Sequence, residues 1–431
     1  MVSRRQFLGS LSMPAAAIAG ATLCPARASA ILSSLASYNS GPHEAARDED
    51  FWFQVSQAYT VDRSIINLNN GGVSPATRLV QDAMKRHLDF SNKAPAYTMW
   101  DVLEPRRENV RQRLAAEFGI DKEEIALTRN ASEGLQTCQF GFDLQRGDEV
   151  LTTTVDYPRM INTFKQRERR EGIVLKQFSI PTPCENPSEI VSLFEQHITP
   201  KTRMILVSHL VFCTGQILPV REVAALGRAK GIPVIIDGAH ALAHFSFKIS
   251  DLDCDYYATS LHKWLCAPHG TGLLYVRRNR IKDLWPLMAA SEEQDENIRK
   301  FEEIGTHPAA PYLAIAEALS FHQGIGRDRK EARLAYLRDY WAKRLLRNDR
   351  VRLHTSLKPG FACAIAVVQI DGVDTGKLVS WLWKKHRIMA VAIKHEEFEG
   401  MRVSPNVYTM LPELDRFCEA VEHVIRNGLP A

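Results

Sequence analysis

The stretch "VIIDGAHALAHFSFKISDLDCDYYATSLHKWLCAPHGTGLLYV", residues 234–276, holds two short apolar runs that each end in chemistry. "VIID" closes on Asp237, and "DYYATS" leads into His262 and Lys263. Neither run alternates apolar with polar residues, which is the pattern of strands covered on both faces. An unpaired charge is costly in such surroundings. Asp237 therefore reads as either a paired structural charge or a ligand contact, and Lys263 as either a snorkelling or a reactive lysine. His240, three residues after Asp237, reads equally as a core histidine or a second contact.

The same strand, turn and helix pattern recurs on the N-terminal side of this stretch. It is repeated in "EIALTRNASEGLQTCQFGFDL" (124–144), "EVLTTTVDYPRMINTFKQRERREG" (149–172) and "TRMILVSHLVFCTGQILPVREVAALGRAKG" (202–231). Alternation of this kind predicts an α/β fold with a mostly parallel, doubly wound sheet, whose ligands gather at the carboxyl ends of the strands. The expected division is an N-terminal segment over 31–74, a large domain over 75–305 and a smaller α+β domain over 306–431. In "INLNNGGVSPATRLVQDAMKRHLDF" (66–90) a strand and a glycine turn precede an amphipathic helix opening near Pro75. The C-terminal part carries the strand "GFACAIAVVQIDG" (360–372) and the helices "TGKLVSWLWKKH" (375–386) and "ELDRFCEAVEHVIRNG" (413–428).

The first thirty residues read differently. "SRRQFLGS" (3–10) sets paired arginines before Phe7 and Leu8; a modest apolar run, "LSMPAAAIAGATL", follows; "PARASA" then offers small-residue cleavage sites. This predicts a twin-arginine export signal over 1–30 and a periplasmic location. That route carries folded proteins, a reason to expect a cofactor loaded before export. Beyond the signal, Cys138, Cys184, Cys213, Cys254, Cys266, Cys363 and Cys418 are widely spaced in apolar context, with no CxxC pair. They read as core thiols rather than metal ligands. The net charge of +4 is dispersed in short mixed runs, so no nucleic-acid stripe is expected. No segment after the signal is apolar enough for a membrane span.

"LTRNASEG" (127–134) ends one strand and opens a helix, whose first amides with the Ser132 hydroxyl suit a phosphate. With Ser260 and His262 beside Lys263, this gives a phosphate cradle next to an amine. A carboxylate for a ring nitrogen, a phosphate site and a lysine for an aldehyde are what pyridoxal 5'-phosphate needs. No GxGxxG, GxxxxGK[ST] or GxSxG stands in a strand–turn–helix setting, which disfavours nucleotide and esterase readings.

At these residues the chain resembles the class V aminotransferases among fold-type I pyridoxal phosphate enzymes. By "LNNGGVSP" (68–75) and "HKWLCAPHGTG" (262–272) it is most similar to the isopenicillin N epimerase-like branch. The resemblance implies that Lys263 binds the cofactor covalently, that Asp237 pairs with its ring nitrogen and that His240 faces its ring hydroxyl. Phosphate contacts carry over to Ala131, Ser132, Ser260 and His262, and Tyr157 of "VDYPR" stacks on the ring. Arg402 of "GMRVSPNVYT" clamps the substrate carboxylate, and Asn70 lines the substrate pocket. Thr306 of "GTHP" reaches the phosphate of a neighbouring subunit, so a homodimer is implied. Leu261 departs from the small residue usual there. Phe212 stands where cysteine desulfurases have an asparagine, and 387–402 lacks their reactive cysteine. On that loop Lys394 and His395 read as substrate contacts or as a solvated surface.

The expected function is a pyridoxal phosphate enzyme acting at the amine-bearing carbon of an amino-acid-like substrate, by transamination or epimerisation. Tailoring of an exported peptide or siderophore fits the export signal. A C–S or C–N lyase is the second reading, and an exported, non-catalytic binding protein the third.

Overall fold

The computed structural model describes Leu35 and residues 38–429. The predicted export signal lies outside the described residues. Thirteen strands run through these residues: β1 (Ile66–Asn67), β2 (Ile125–Thr128), β3 (Glu149–Thr153), β4 (Val174–Phe178), β5 (Thr202–Ser208), β6 (Val234–Asp237), β7 (Tyr256–Ser260), β8 (Gly272–Val276), β9 (Val351–Leu353), β10 (Ala366–Ile370), β11 (Ile388–Met389), β12 (Val391–Lys394) and β13 (Glu399–Val403).

The large sheet has the order β2-β8-β7-β6-β5-β3-β4. Pairing is parallel from β7 across to β4, as the repeated strand–helix pattern predicts. β8 departs from it, running antiparallel to both β7 and β2. The connection from Ser260 to Gly272 carries Lys263 but no helix, and a parallel return needs a longer crossover. The lysine loop is thus the link of a hairpin built into a parallel sheet. Alternate residues of the central strands feed two apolar layers. Ile205, Val207 and Ile236 face one core, while Met204, Leu206 and Ile235 face the other. Coverage on both faces explains why these runs do not alternate in polarity.

A second, antiparallel sheet, β12-β13-β10-β9, packs with the helices Arg327–Leu345, Thr375–His386 and Leu411–Asn427 around a core that includes Trp341, Leu382 and Phe417. β1 pairs in parallel with β11, Ile66 opposite Ile388, so the glycine turn after β1 is tied to the C-terminal part of the chain. The helix expected near Pro75 begins at Arg78, because the Thr77 side chain caps it by accepting from the Val80 amide. All seven cysteines among the described residues are free and buried. No described helix is long and apolar enough to cross a membrane.

Candidate active site

The carboxyl ends of β2, β5, β6 and β7 open on a cleft of about 360 Å³, lined by Ala131, Ser132, Tyr157, Phe212, Asp237, His240, Ser260, His262 and Lys263, among others. Residues far apart in the chain meet there because parallel strands deliver their ends to one edge.

Lys263 is partly open to the cleft, and its Nζ lies 3.0 Å from His240 Nε2. Burial of the amine brings its protonation down to about 8; Asp237 opposes this and Arg402 adds to it. Near neutral pH a useful share of the amine is unprotonated, which is the nucleophilic form. Burial holds His240 well below its ordinary value, so the ring is neutral and Nε2 accepts from the ammonium. Its Nδ1 is buried with no partner among the described residues.

Asp237, at the end of β6, is buried and accepts from the Ala239 amide at 2.9 Å. Burial pushes its carboxyl up to about 6, while that amide and Lys263 pull it down. A buried carboxylate with so few donors suits a cationic ring nitrogen.

The helix Ala131–Gly141 points its first turn at the same cleft. Asn130 caps it by accepting from the Glu133 amide at 2.9 Å, and Ser260 Oγ accepts from the Ala131 amide at 3.0 Å. A Cβ on Gly272 would come within 2.6 Å of Asn130 Cα, so the lysine loop and this turn approach as closely as backbones can. His262 is anchored through Nδ1 to the Thr271 carbonyl at 3.1 Å, and burial brings its ring down to about 4. The loop itself is held from behind, where Trp264 stacks on His244 at 3.6 Å and Lys330 donates to the Trp264 carbonyl.

Tyr157 opens the helix Pro158–Glu171 at the cleft mouth, its ring edge-on to Phe212 at 5.3 Å. Asp156, just before it, accepts from the amides of Thr153 and Ser208 and from the hydroxyls of Thr152, Thr153 and Ser208, at 2.6–2.9 Å. It laces the ends of β3 and β5 together beneath Tyr157. Sequence reasoning passed over it, although "TTTVDYP" sets it among hydroxyls.

Arg402, on β13, is buried and donates to the Phe212 carbonyl at 2.9 Å and to Asn69 Oδ1 at 2.7 Å. No carboxylate among the described residues pairs with it, and its Nε has no partner. A buried guanidinium held only by neutral acceptors is short of an anion.

One residue expected at the cleft lies elsewhere. Asn70 is fully buried and does not line the cleft: its amide donates to the Asn67 and Ser404 carbonyls and its Oδ1 accepts from Tyr408 at 2.6 Å. Neighbouring Asn69 is the side chain that reaches Arg402. Thr306 is exposed in a separate, more open cleft with Trp100, Arg107 and His307, away from Lys263 of its own chain. On the 387–402 loop, His395 bonds the Thr154 carbonyl at 3.0 Å and stacks on Phe398, so that ring is committed to packing.

The groups present fit pyridoxal phosphate: a desolvated amine, a buried carboxylate, an unpartnered buried His240 Nδ1 and a helix N-terminus capped by Asn130 beside Ser260. Fold and cleft thus define a fold-type I pyridoxal phosphate protein. The chain belongs to the aminotransferase class-V family, whose family model matches residues 66–416, and pyridoxal phosphate is its cofactor. It is 29% identical over 397 residues to isopenicillin N epimerase of Streptomyces clavuligerus, covering 86% of this chain and 98% of that protein. It is 22% identical to the hercynylcysteine sulfoxide lyase of Schizosaccharomyces pombe, over 84% and 95% of the two chains. The cysteine desulfurase of Thermococcus onnurineus superposes with a TM-score of 0.76 at 20% identity, over 87% of this chain and 98% of that one.

Proposed function

We propose that this protein is an exported enzyme that acts at the amine-bearing carbon of an amino-acid-like substrate, by transamination or epimerisation. The observation that carries the reading is the buried, carboxylate-free guanidinium of Arg402, held to the carbonyl of the cleft residue Phe212 and near enough to the Lys263 amine to lower its protonation. A substrate carboxylate would supply the missing anion, with two parallel hydrogen bonds from a planar fork. The likeness to isopenicillin N epimerase supports the chemistry, and "SRRQFLGS" with the following apolar run supports export.

Lys263, Asp237, His240, Ser260, His262, the first turn at Ala131 and Ser132, and Tyr157 would hold the cofactor. When bound, it supplies an electron sink for the bond broken at the substrate carbon. Asp237 keeps a proton on the ring nitrogen. Tyr157 and Phe212 cover the cleft mouth with aromatic surface and keep water off the reacting face. Lys263 Nζ, at the cleft beside His240 Nε2, would be the base that takes the proton from that carbon. Returning it to the opposite face or to a different atom separates epimerisation from transamination.

We further propose a homodimer in which Thr306 of one protomer completes the phosphate site of the other. Tyr97 and Trp100, on one short helical segment, are 63% and 54% exposed, and Trp100 borders the Thr306 cleft, which supports a covering partner.

A lyase acting on a C–S or C–N bond would use the same lysine, and the sulfoxide lyase relative supports that second reading. A persulfide route has less support, since burial pushes thiols such as Cys138 and Cys213 upward, away from the reactive thiolate. The test is incubation of the loaded protein with amino acids and amino-terminal peptides in heavy water, with mass analysis. Deuterium at the α-carbon without a keto acid means epimerisation, and one equivalent of keto acid means transamination. Ammonia or a sulfur product released with turnover means the lyase, and no change in any candidate counts against the enzyme reading.

A further inference from the structure

Beneath the lysine loop, four separate parts of the chain meet in a buried polar knot whose side chains, Tyr59, Ser74, Cys266 and Asn406, are not among the residues assigned to the cofactor. Tyr59 donates its hydroxyl to Cys266 Sγ at 3.6 Å. Cys266 in turn lies 3.6 Å from the Lys263 carbonyl, which also accepts from the Cys266 amide at 3.3 Å. Asn406, with no solvent exposure, donates to Ser74 Oγ at 2.9 Å and to Cys266 Sγ at 3.8 Å. Ser74 closes the knot, its amide donating to the His262 carbonyl at 3.2 Å and its hydroxyl to the Asn70 carbonyl at 3.2 Å.

Two features argue that this knot sets geometry and does more than fill space. Cys266 has φ +57°, a left-handed conformation that a residue with a Cβ holds only when its surroundings enforce it. Around it stand the Lys263 carbonyl, which accepts from its amide, and the Tyr59 and Asn406 side chains, which reach its sulfur. Tyr59, moreover, lies ahead of residue 66, where the match to the family begins. The helices Pro42–Ala45 and Glu49–Ser56 precede it and dock on the helix Arg327–Leu345: Arg333 donates to the Ala46 carbonyl and pairs with Glu49. The Tyr59 ring then packs at 4.9 Å against Tyr408, whose hydroxyl holds Asn70. Burial pushes the Tyr59 phenol well above its ordinary value, so it remains a donor at all working pH.

We propose that Tyr59, Cys266 and Asn406 are positioning residues, through which the segment ahead of the family match fixes the backbone of the loop carrying Lys263. The inference rests on Lys263 being the cofactor lysine only for its consequence, not for the contact itself. Removing the hydroxyl in Tyr59→Phe keeps the ring packing and loosens the loop. The amine then spends less time at its working position.

The test compares Tyr59→Phe, Cys266→Ala and the double variant. Hydrogen exchange of peptides over 261–270 is read first in cofactor-free protein. Each single variant is expected to exchange about fivefold faster there, the factor a neutral hydrogen bond supports, with the helix 411–427 unchanged. The double variant should add little to Cys266→Ala, because the sulfur that the Tyr59 hydroxyl reaches is already gone. In loaded protein, the same variants should shift the pH midpoint of the cofactor's visible band. Unchanged exchange at 261–270, or a rise spread evenly over the chain, overturns the proposal. A wild-type protein that takes up no cofactor overturns the reading of Lys263 instead, and the exchange data still decide the knot.

Discussion

The amine of Lys263 and the Nε2 of His240 lie 3.0 Å apart, and burial moves both groups toward their neutral forms. A neutral imidazole as the lysine's neighbour accepts a proton contact without repelling the ammonium. The amine's protonation near 8 sets a rate. Capture of pyridoxal phosphate by cofactor-free protein should rise as pH increases through about 8 and level off above it, since only the unprotonated amine attacks. Stopped-flow absorbance reads this, and a rate still climbing at the ordinary lysine value would show that the amine is not desolvated.

Asp237 should weaken the cofactor-free protein. Its folded value, about 6, lies above the unfolded 3.8, so its contribution is favourable below pH 4 and is lost as pH rises through 6. Asp237→Asn removes that loss. Without cofactor the variant should be more stable than the wild type at pH 8 by roughly 2–3 kcal/mol, measured by urea unfolding. Its turnover with cofactor should fall below detection, since a neutral amide no longer holds the ring proton. Equal stability at pH 8 would mean that the carboxylate is already compensated.

Arg402 should govern affinity for a carboxylate. Arg402→Ala is expected to raise KM for α-amino acids about 100-fold, the loss of a charged hydrogen-bonded pair. Arg402→Lys should recover part of this, without the bidentate fork. Amines lacking a carboxylate should be indifferent to either change. Steady-state kinetics on a matched amino acid and amine pair decides between a substrate contact and a structural one.

Gly272→Ala tests the close approach of the lysine loop to the phosphate turn. The added carbon would meet the backbone of Asn130 at 2.6 Å, which no side-chain rotation relieves. Displacing that turn should weaken cofactor retention by about 1–3 kcal/mol, read by equilibrium dialysis. Unchanged retention would place the phosphate elsewhere.

Much of this arrangement was legible in the sequence because strands announce their own ends. Asp237, Ser260 and Lys263 follow directly on apolar β-branched or aromatic runs, and Ala131 and Ser132 open a helix after another such run. Direction was less legible. The antiparallel course of β8 depends on the length of the lysine loop, which local patterning does not weigh. Contacts across the chain were invisible: Arg402 meets Asn69, Tyr408 meets Asn70, and Tyr59 meets Cys266, pairs set by packing between distant segments. Asn70 illustrates the consequence. The family resemblance implied a pocket residue, whereas three hydrogen-bond partners from both ends of the chain bury it.

The central claim is that Lys263 is the group that carries the cofactor, and hydride reduction of the loaded protein tests it most directly. Reduction fixes the lysine–cofactor bond, and digestion with mass analysis then locates it. The expected result is one phosphopyridoxyl addition per chain, on the peptide containing Lys263, with none in Lys263→Ala. An addition on another lysine, or a Lys263→Ala protein labelled as fully as the wild type, would contradict the account.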